Sequence, residues 1–534
     1  MWHRFLIFAV QAHYLYMTNG RLLWVDDEIE FLSVHILFLQ KKGYEVTTCT
    51  NGPDALDLCA EQNFDLILLD ENMPGLSGLE TLQRIKDLQP DVPVVMVTKN
   101  EEENIMNQAI GSKIADYLLK PVNPMQILLT LKKNIHLRQI QQETAQSNYR
   151  QAFNRISMQI SDTSTPSEWK ELYRQLVFWE LELADADESM ADMLRMQKAE
   201  ANQTFSKYVA RNYENWINNA ADRPVISPDV FKHYVFPSLS AGRKVFLIVI
   251  DNLRYDQWRT LSRELAPYFD IEEDLYFSIL PTATQYARNA IFAGMMPLQI
   301  KRQNPDLWIE ETEEESKNLH EEDLMRRQLE RFRRREAISY HKFNDSATPD
   351  TFRGHLRRIK DVPLNVMVIN FIDILSHART ESKMVRELAG NEAAYRSITH
   401  SWFLHSGIKS LFEQLAEMDF EVAITTDHGS LRVEKAIRVV GDRNVNTNLR
   451  YKLGKSLNYN PKEVFEMAHP ERFGLPSPNV STRYIYATGS DFFAYPNNYN
   501  YYVQYYHDTF QHGGISMEEM IVPYVRLYSK RRGG

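Results

Sequence analysis

The stretch that most constrains the fold is a short apolar run, residues 420–424, followed at once by Thr425-Thr426-Asp427-His428-Gly429-Ser430. The apolar run predicts a buried strand. An acid and an imidazole follow where that strand ends, and ligands of open α/β sheets bind at strand ends. Asp and His are ligands that zinc and manganese favour. Taken alone, the Asp427-His428-Gly429 tripeptide is weak evidence for a metal site, so this interpretation depends on the rest of the chain.

Length and composition narrow the classes of protein to be considered. A chain of 534 residues predicts two or three domains. The net charge of -10 gives no whole-protein attraction to nucleic acid, so any such contact would need a local basic patch. The chain has two cysteines, Cys49 and Cys59, and such sparing use of cysteine is typical of a reducing compartment.

The N-terminus carries a short apolar run, residues 5–10, after Arg4. Gln11 and His13 interrupt it, and no small-residue cleavage site follows, so it is a poor signal peptide. We expect residues 1–16 to be a non-native or disordered extension that reflects an upstream start codon. No later run approaches the roughly 20 apolar residues of a membrane helix, so we expect a cytoplasmic protein without membrane insertion.

Strand and helix signals alternate over residues 17–137, which predicts a parallel, doubly wound sheet of the flavodoxin-like kind. Strand-like runs end in polar residues, and strand ends of a parallel sheet share one edge. The residues concerned are Asp26, Asp27, Asp70, Thr98 and Lys120. Three carboxylates together require a hard divalent cation, for which magnesium is the usual choice. The cation would activate Asp70 to accept a phosphoryl group, with Thr98 and Lys120 binding its oxygens.

This arrangement resembles the receiver domain of two-component response regulators over the whole of residues 17–137. The resemblance implies a sensor histidine kinase as partner and Asp70 as the phosphoacceptor. It implies that Asp26 and Asp27 are the family's acidic pair and that the Asn72 carbonyl binds magnesium. Thr98 would supply the switch hydroxyl, Tyr117 the rotating aromatic ring and Lys120 the lysine before a proline. Lys99 departs from the family, which usually has a small residue there, and this leaves the lifetime of the phosphoryl group open.

Residues 138–240 show helical spacing without strand alternation and predict a helical-bundle linker. Thr165 and Glu168 form a capping-box pattern with Pro166 between them. The alternative is a recognition helix for DNA. No basic helix follows a short glycine turn, so a helix-turn-helix is not expected.

The last domain, residues 241–534, repeats the pattern of strands that end in metal-binding residue types. The run 245–250 ends in Asp251, and the run 364–371 is followed by Asp373 and His377. Thr284 lies where a strand would become a helix, and a helix N-terminus stabilises an alkoxide or a phosphoryl oxygen. His512 precedes a last strand, residues 520–525.

These residues group into two three-ligand zinc sites. Asp373, His377 and His512 would bind one ion. Asp251, Asp427 and His428 would bind the other, with Thr284 bridging. Two metal ions about 4 Å apart stabilise both the attacking and the leaving oxygen of a phosphoryl transfer. The pattern thus predicts a phosphothreonine intermediate that water hydrolyses.

The signatures around Asp251, Thr284, Asp373-x-x-x-His377, Asp427-His428-Gly429 and His512-Gly513-Gly514 resemble the PglZ branch of the alkaline phosphatase superfamily. In that family the Thr or Ser of the second signature is the nucleophile. We assign Thr284 rather than Thr282, because Thr282 is expected to lie in the strand. Arg288 and Asn289, one turn further on, could bind phosphate oxygens. The element around His512 also recurs in metal-dependent phosphoglycerate mutases, which leaves a phosphomutase as a weaker alternative.

The order of receiver, helical linker and PglZ domain resembles the PorX-type response regulators of Bacteroidetes. That resemblance implies type IX secretion control, with a sigma factor or secretion component as partner. The first hypothesis is that phosphorylation of Asp70 favours a homodimer and controls a two-zinc phosphodiesterase for nucleotide or oligonucleotide substrates. The alternative is a structural metal site in a regulator whose output is protein binding.

Two segments bear on the substrate. Residues 443–455 combine basic side chains with Tyr451, and residues 492–506 are rich in tyrosine. Basic residues beside aromatics suit a single-stranded backbone with stacked bases. A tyrosine-rich loop packed on its own domain is an equal alternative. Residues 310–336 are densely charged and predict a solvated helical flap.

Overall fold

The computed structural model describes residues 19–90, 92–99, 114–184, 186–219, 223–311, 318–343, 348–381, 390–441 and 445–530. The chain divides into two compact units, Met1–Asn148 and Tyr149–Gly534. The expected N-terminal extension, residues 1–16, lies outside the described residues. So do residues 312–317 of the expected charged flap and Arg443 of the basic segment 443–455.

The first unit contains a five-stranded parallel sheet in the order β2-β1-β3-β4-β5, the flavodoxin-like arrangement. Its strands are β1 Gly20–Val25, β2 Tyr44–Cys49, β3 Leu66–Asp70, β4 Val94–Thr98 and β5 Asp116–Leu119. Its helices are α1 Ser33–Lys41, α2 Gly52–Glu61 and α3 Gly78–Leu88, and α4 Pro124–Asp162 starts in this unit. Apolar strand residues belong to two separate core clusters, as expected of a sheet covered on both faces. The doubly wound receiver fold is therefore confirmed.

Helices follow, without strands among the described residues of this part, as the sequence predicts. They are α5 Pro166–Glu182 and α6 Glu188–Asn218. The capping box at the start of α5 is confirmed: the Glu168 amide donates to Thr165 Oγ1 at 3.3 Å, and the Thr165 amide donates to Glu168 Oε2 at 2.9 Å. Trp169 packs edge-on against Phe205 with ring centroids 5.2 Å apart, which joins the two helices.

The second unit is organised around a six-stranded sheet in the order β7-β18-β10-β6-β9-β8. Its strands are β6 Val245–Ile250, β7 Phe269–Phe277, β8 Ile338–Phe343, β9 Leu364–Ile369, β10 Glu421–Thr425 and β18 Ile521–Ser529. Neighbours β10, β6, β9 and β8 run parallel, whereas β18 is antiparallel to both β10 and β7. Strands β6, β9 and β10 are buried along their whole length, as in an α/β domain covered on both faces.

The remaining elements surround this sheet. The helices are α7 Phe236–Ser240, α8 Tyr255–Leu265, α9 Thr284–Ala293, α10 Pro297–Gln303, α11 Glu321–Arg331, α12 Thr348–Ile359, α13 Phe371–Glu381, α14 Glu392–His405, α15 Ile408–Ala416, α16 Tyr499–Tyr506 and α17 Met517–Met520. The short strands are β11 Leu431–Arg432, β12 Lys435–Arg438, β13 Tyr451–Gly454, β14 Phe465–Met467, β15 Arg483–Tyr486, β16 Asp491–Ala494 and β17 Phe510–Gln511. No helix of the described residues is long and apolar enough to cross a bilayer.

One expectation about local structure is wrong. Thr282 does not lie in a strand, because β7 ends at Phe277 and residues 278–283 form an irregular connection to α9. Side chains rather than a strand ladder satisfy this backbone: the Leu280 amide donates to the Tyr213 hydroxyl at 2.7 Å. Thr282 itself bonds to another loop, since its Oγ1 accepts from the Gly513 amide at 3.0 Å.

Candidate metal centres

Three neighbouring parallel strands of the second unit each place one candidate metal-binding aspartate at the same edge of the sheet. Asp251 follows β6 directly, Asp427 comes two residues after β10, and Asp373 lies in the first turn of α13 after β9. Because these strands pair side by side in the order β10-β6-β9, their carboxyl ends meet and the three carboxylates come together.

The first group consists of Asp251, Asp427 and His428, whose ligand atoms lie within 4.8 Å of one another and which are all buried. His428 Nε2 is 3.7 Å from Asp251 Oδ1. His428 Nδ1 lies 3.1 Å from the Gly429 carbonyl oxygen, which can only accept, so Nδ1 carries the proton. This tautomer leaves the Nε2 lone pair free on the side of the carboxylates, as metal-binding histidines require.

The second group consists of Asp373, His377 and His512, again with ligand atoms within 4.8 Å. The Nε2 atoms of His377 and His512 lie 3.4 Å and 3.6 Å from the Asp373 carboxylate oxygens. His512 Nδ1 is 3.1 Å from the Thr282 carbonyl, which fixes the same tautomer as in His428. The His428 and His512 rings stack with centroids 4.2 Å apart, so the two groups adjoin.

Thr284 lies beside the first group, at the start of helix α9. Its Oγ1 is 3.1 Å from His428 Nε2 and 3.5 Å from Asp251 Oδ1. The first backbone amides of a helix have no intrahelical partner and favour negative charge. A hydroxyl in this position is therefore close both to the ligand set and to amides that stabilise developing charge.

Arg288 and Asn289, the two expected phosphate-binding residues, have different surroundings. Arg288 is buried; its Nη1 is 2.8 Å from Asp251 Oδ2 and 3.9 Å from Asp427 Oδ2. Asn289 Oδ1 instead accepts from Asn318 Nδ2 at 3.2 Å. The same Asn318 amide nitrogen donates to the Thr284 carbonyl at 3.0 Å. Arg288 thus faces the carboxylates, whereas Asn289 contacts a residue that supports Thr284.

The protonation energetics reflect three carboxylates held out of water. Burial raises the pKa of Asp251 to about 8, against the opposing effect of Arg288. Burial likewise raises the pKa of Asp427. For Asp373 the effect of burial is outweighed by the His377 hydrogen bond and by the neighbouring His512, so its pKa is lowered.

The donor set fits zinc. Asp427 Oδ2 is buried and accepts no hydrogen bond from the residues that the structure describes. A buried carboxylate oxygen without a partner is costly unless a cation compensates it. Three carboxylates and three imidazoles in two adjoining groups are the ligands that zinc takes.

The first unit contains a separate acidic group, Asp26, Asp27 and Asp70, with ligand atoms within 4.8 Å. Asp26 and Asp70 are buried. Lys120 Nζ lies 2.8 Å from Asp26 Oδ2 and 2.9 Å from Asp70 Oδ2. Burial raises the pKa of Asp70 although Lys120 opposes it. An all-oxygen acidic set of this kind fits magnesium.

The other expected receiver residues surround this crevice. Thr98 ends β4 and is fully buried. The Asn72 backbone amide hydrogen-bonds to Asp70, and Tyr117 packs half-buried against the apolar core. Lys99, the residue that departs from the family pattern, is bound by Glu28: its Nζ is 2.9 Å from Glu28 Oε2.

Sequence reasoning missed Asn252, which links the two groups of the second unit. Its Nδ2 donates to Asp373 Oδ1 at 3.3 Å, and its backbone amide lies 3.5 Å from Asp427 Oδ1. Its φ of 63° is left-handed, a conformation that asparagine adopts more readily than most residues. Its position directly after Asp251 was the available signal.

The expected nucleic-acid surface in residues 443–455 is wrong for two of its basic residues. Arg450 is fully buried and pairs with Glu519 through an Nη2–Oε2 contact of 2.6 Å. Lys452 is 1% exposed and lies 4.8 Å over the Tyr495 ring. Both side chains face the protein interior, where a nucleic-acid backbone cannot reach them. The tyrosine-rich segment forms β16 and helix α16 rather than a loop, and Tyr501 in it is 61% exposed.

A cavity of about 540 Å³ borders helix α9. Tyr286, two residues after Thr284, lines it together with Trp308 and Tyr484. Lys455 and Asn446 add polar groups to the wall. The cavity therefore combines apolar side chains with a few hydrogen-bonding groups, a combination typical of sites for organic ligands.

Three family models match the chain. The model of the BREX system PglZ alkaline phosphatase-like domain matches residues 230–527, more than half of the chain. The PorX response regulator linker domain matches residues 139–217, and the response regulator receiver domain matches residues 22–132.

Curated relatives match over the receiver region. The uncharacterized transcriptional regulatory protein YkoG of Bacillus subtilis is 36% identical over 118 residues, 22% of this chain and 51% of that protein. The transcriptional regulatory protein ZraR of Klebsiella oxytoca is 36% identical over 112 residues, 21% of this chain and 25% of that protein. The chain thus spans about half or less of the length of these relatives. A solved CheY-like receiver domain protein from Methanospirillum hungatei JF-1 is 28% identical, covering 22% of this chain and 95% of that chain with a TM-score of 0.22.

Proposed function

This chain belongs to the PglZ family and has the receiver, linker and PglZ order of PorX-type response regulators, and we propose that it is a response regulator that hydrolyses phosphodiesters through Thr284. The observation that carries this proposal is the position of Thr284 Oγ1 at a helix N-terminus, 3.1 Å from His428 Nε2. We assign residues 17–137 to the receiver, 138–240 to the linker and 241–534 to the catalytic domain.

Two zinc ions would be held by the two groups, Asp251, Asp427 and His428, and Asp373, His377 and His512. When bound, zinc supplies Lewis-acid stabilisation and lowers the pKa of an attacking hydroxyl. Manganese would suit the same ligands.

The residues of the chain perform the remaining chemistry. Thr284 Oγ gives its proton to solvent and attacks phosphorus, an Oγ–P bond forms, and the bond from phosphorus to the leaving oxygen breaks, so that the leaving alkoxide takes a proton from solvent and departs as an alcohol. Water then cleaves the Oγ–P bond, which releases a phosphate monoester and regenerates the Thr284 hydroxyl. The N-terminal amides of α9 stabilise the phosphoryl oxygens. Arg288 keeps positive charge beside Asp251 and Asp427 and would bind a phosphate oxygen there.

Nucleotide or oligonucleotide phosphodiesters are the proposed substrate class. The cavity beside α9 supports an ester with an organic group, because its wall combines apolar side chains with a few polar groups. Arg450 and Lys452 lend no support, since both are buried. The choice therefore depends on the cavity and on the exposed tyrosines of α16 rather than on a basic patch.

The receiver would control this activity in the cytoplasm. A sensor histidine kinase would phosphorylate Asp70, with magnesium bound by Asp26, Asp27, Asp70 and the Asn72 carbonyl. Thr98 and Lys120 would bind the phosphoryl oxygens, and Tyr117 would rearrange to favour a homodimer. Coupling to a sigma factor or a type IX secretion component would follow from the PorX-type architecture.

The test is hydrolysis of bis(p-nitrophenyl) phosphate by zinc-loaded protein, with Thr284→Ala and Thr284→Ser compared with the wild type. We expect Thr284→Ala to lose at least about 100-fold in kcat while still binding zinc, and Thr284→Ser to keep measurable turnover. Equal, negligible rates in all three proteins would contradict the proposal. They would favour the alternative in which zinc stabilises a scaffold that binds protein partners.

A further inference from the structure

Helix α6 of the linker carries buried polar side chains where a helix packed on a protein core normally carries apolar ones. Asn202 and Ser206 are 4% and 5% exposed, and Tyr213 on the same helix is fully buried. Buried polar groups are costly unless they are hydrogen-bonded. The bonds that these three residues make therefore indicate why the helix has them.

Asn202 and Ser206 bind the loop that follows His512. Asn202 Oδ1 accepts from the Met517 amide at 2.7 Å, and Asn202 Nδ2 donates to Glu518 Oε2 at 2.8 Å. Ser206 Oγ lies 3.3 Å from the Ile515 carbonyl oxygen and 2.8 Å from the Asn202 carbonyl oxygen of its own helix, so its proton is shared between the two. Both hydrogen-bonding ends of the Asn202 amide are thus used on one short segment.

Tyr213 binds the segment that precedes Thr284. Its hydroxyl accepts from the Leu280 amide at 2.7 Å, four residues before the nucleophile. The two segments also bind each other, because Thr282 Oγ1 donates to the Gly514 carbonyl at 2.9 Å. One helix therefore anchors both the backbone that carries Thr284 and the backbone that carries His512.

The same loop touches the metal-binding segment that carries Asp427 and His428. The Gly429 amide donates to the Glu519 carbonyl at 3.2 Å. A methyl group on Gly429 would lie 2.1 Å from the Glu518 carbonyl oxygen, so the two backbones are in close contact next to His428. A displacement of residues 515–519 would be felt at both zinc groups.

We infer that α6 is a positioning element of the phosphoesterase site: Asn202 sets the place of His512 and Tyr213 sets the place of Thr284. This rests on the proposed function for the role of Thr284, but not for the placement of His512. The linker is then more than a spacer, because any movement of α6 against these loops changes the geometry of the site.

The test uses Asn202→Ala, Tyr213→Phe and the control Gln203→Ala, an exposed position on the same helix. Zinc affinity of the full chain is measured by competition with a chromophoric chelator. We expect Asn202→Ala to weaken zinc binding about tenfold, a typical loss when support of a metal-bound histidine is removed. Gln203→Ala should leave it unchanged. Equal affinity in Asn202→Ala and Gln203→Ala would overturn the assignment of Asn202.

Tyr213→Phe removes a hydroxyl at almost constant volume and is read out by hydrolysis of bis(p-nitrophenyl) phosphate. We expect kcat to fall about tenfold with KM and zinc affinity unchanged, because misplacing a nucleophile costs rate rather than binding. An unchanged kcat in an active enzyme would overturn the assignment of Tyr213. If the wild type binds zinc without turnover, the proposed function fails, whereas the zinc measurement still decides the role of Asn202.

Discussion

At the scale of single residues, burial rather than charge decides the role of two basic side chains of the PglZ domain. Arg450 is fully buried against Glu519, and Lys452 is enclosed without a carboxylate partner among the described residues. Lys452 Nζ donates to the Asn446 carbonyl at 2.8 Å. Burial lowers the pKa of Lys452 from its ordinary 10.5 to about 7. The Lys452 amine is therefore neutral at alkaline pH, and its protonation lowers the free energy of unfolding.

Lys452→Met should therefore change how stability depends on pH. Between about pH 7 and 10.5 the unfolded chain binds more protons at this residue than the folded chain does, so wild-type stability rises with pH in that window. The variant lacks this slope and should be more stable at pH 7 by an amount on the order of a few kcal/mol. Thermal unfolding from pH 7 to 10 measures it, and the matched control is Lys455→Met at an exposed position. A difference between variant and wild type that does not shrink as pH rises would contradict this account.

Some site residues can be predicted from the sequence and others cannot. Asp251 and Asp427 could be predicted because an apolar run that ends in an acid indicates both a strand and the sheet edge where that strand ends. Asn252 was missed because its importance comes from a left-handed backbone that brings its amide to Asp373. The burial of Lys452 was missed because composition counts charges and carries no information on the contacts between β13 and its surroundings.

At the scale of elements, the turn after β10 has two structural roles. It carries Asp427 and His428 to the site, and it allows the loop 515–519 to approach Gly429 closely. The sequence predicts the turn from its glycine, but the close approach depends on a segment nearly 90 residues further on. Local signals, such as the capping box of Thr165 and Glu168, were predictable because both partners lie within one helical turn.

Gly429→Ala should displace this turn. The added methyl group would lie 2.1 Å from the Glu518 carbonyl oxygen and 3.3 Å from Arg254 Cγ, and a backbone atom cannot yield as a flexible side chain does. We expect zinc affinity to fall at least about tenfold and hydrolysis to fall with it. Gly354→Ala is the matched control, since that glycine is exposed in α12 with open space around its Cα. Wild-type zinc affinity in Gly429→Ala would show that the turn has room that the structure does not indicate.

At the scale of the whole molecule, phosphorylation of the receiver is the proposed input. Beryllofluoride with magnesium imitates a phosphoryl group on aspartate, so it should convert wild-type protein from monomer to dimer in sedimentation experiments. Asp70→Asn should stay monomeric under the same conditions, because it lacks the carboxylate that accepts the group. Thr284→Ala should dimerise like the wild type. Wild-type protein that stays monomeric would contradict phosphorylation-dependent dimerisation.

Removal of metal should weaken the PglZ domain. Asp251 and Asp427 belong to one buried group, Asp373 adds to their negative charge, and a bound cation offsets the repulsion. We expect a strong chelator to lower the unfolding temperature of the zinc-loaded wild type by several degrees, and excess zinc to restore it. The double variant Asp251→Asn, Asp427→Asn should lose most of this response. A chelator effect of equal size in that variant would place the stabilising zinc elsewhere.

The proposed mechanism requires that Thr284 becomes covalently bound to phosphorus during turnover. Acid quenching of zinc-loaded protein during hydrolysis of bis(p-nitrophenyl) phosphate, followed by mass spectrometry of the peptide that contains Thr284, would detect this bond. We expect a p-nitrophenylphosphoryl adduct on Thr284 in the wild type and none in Thr284→Ala. Full turnover in Thr284→Ala, or an adduct on another residue, would contradict it.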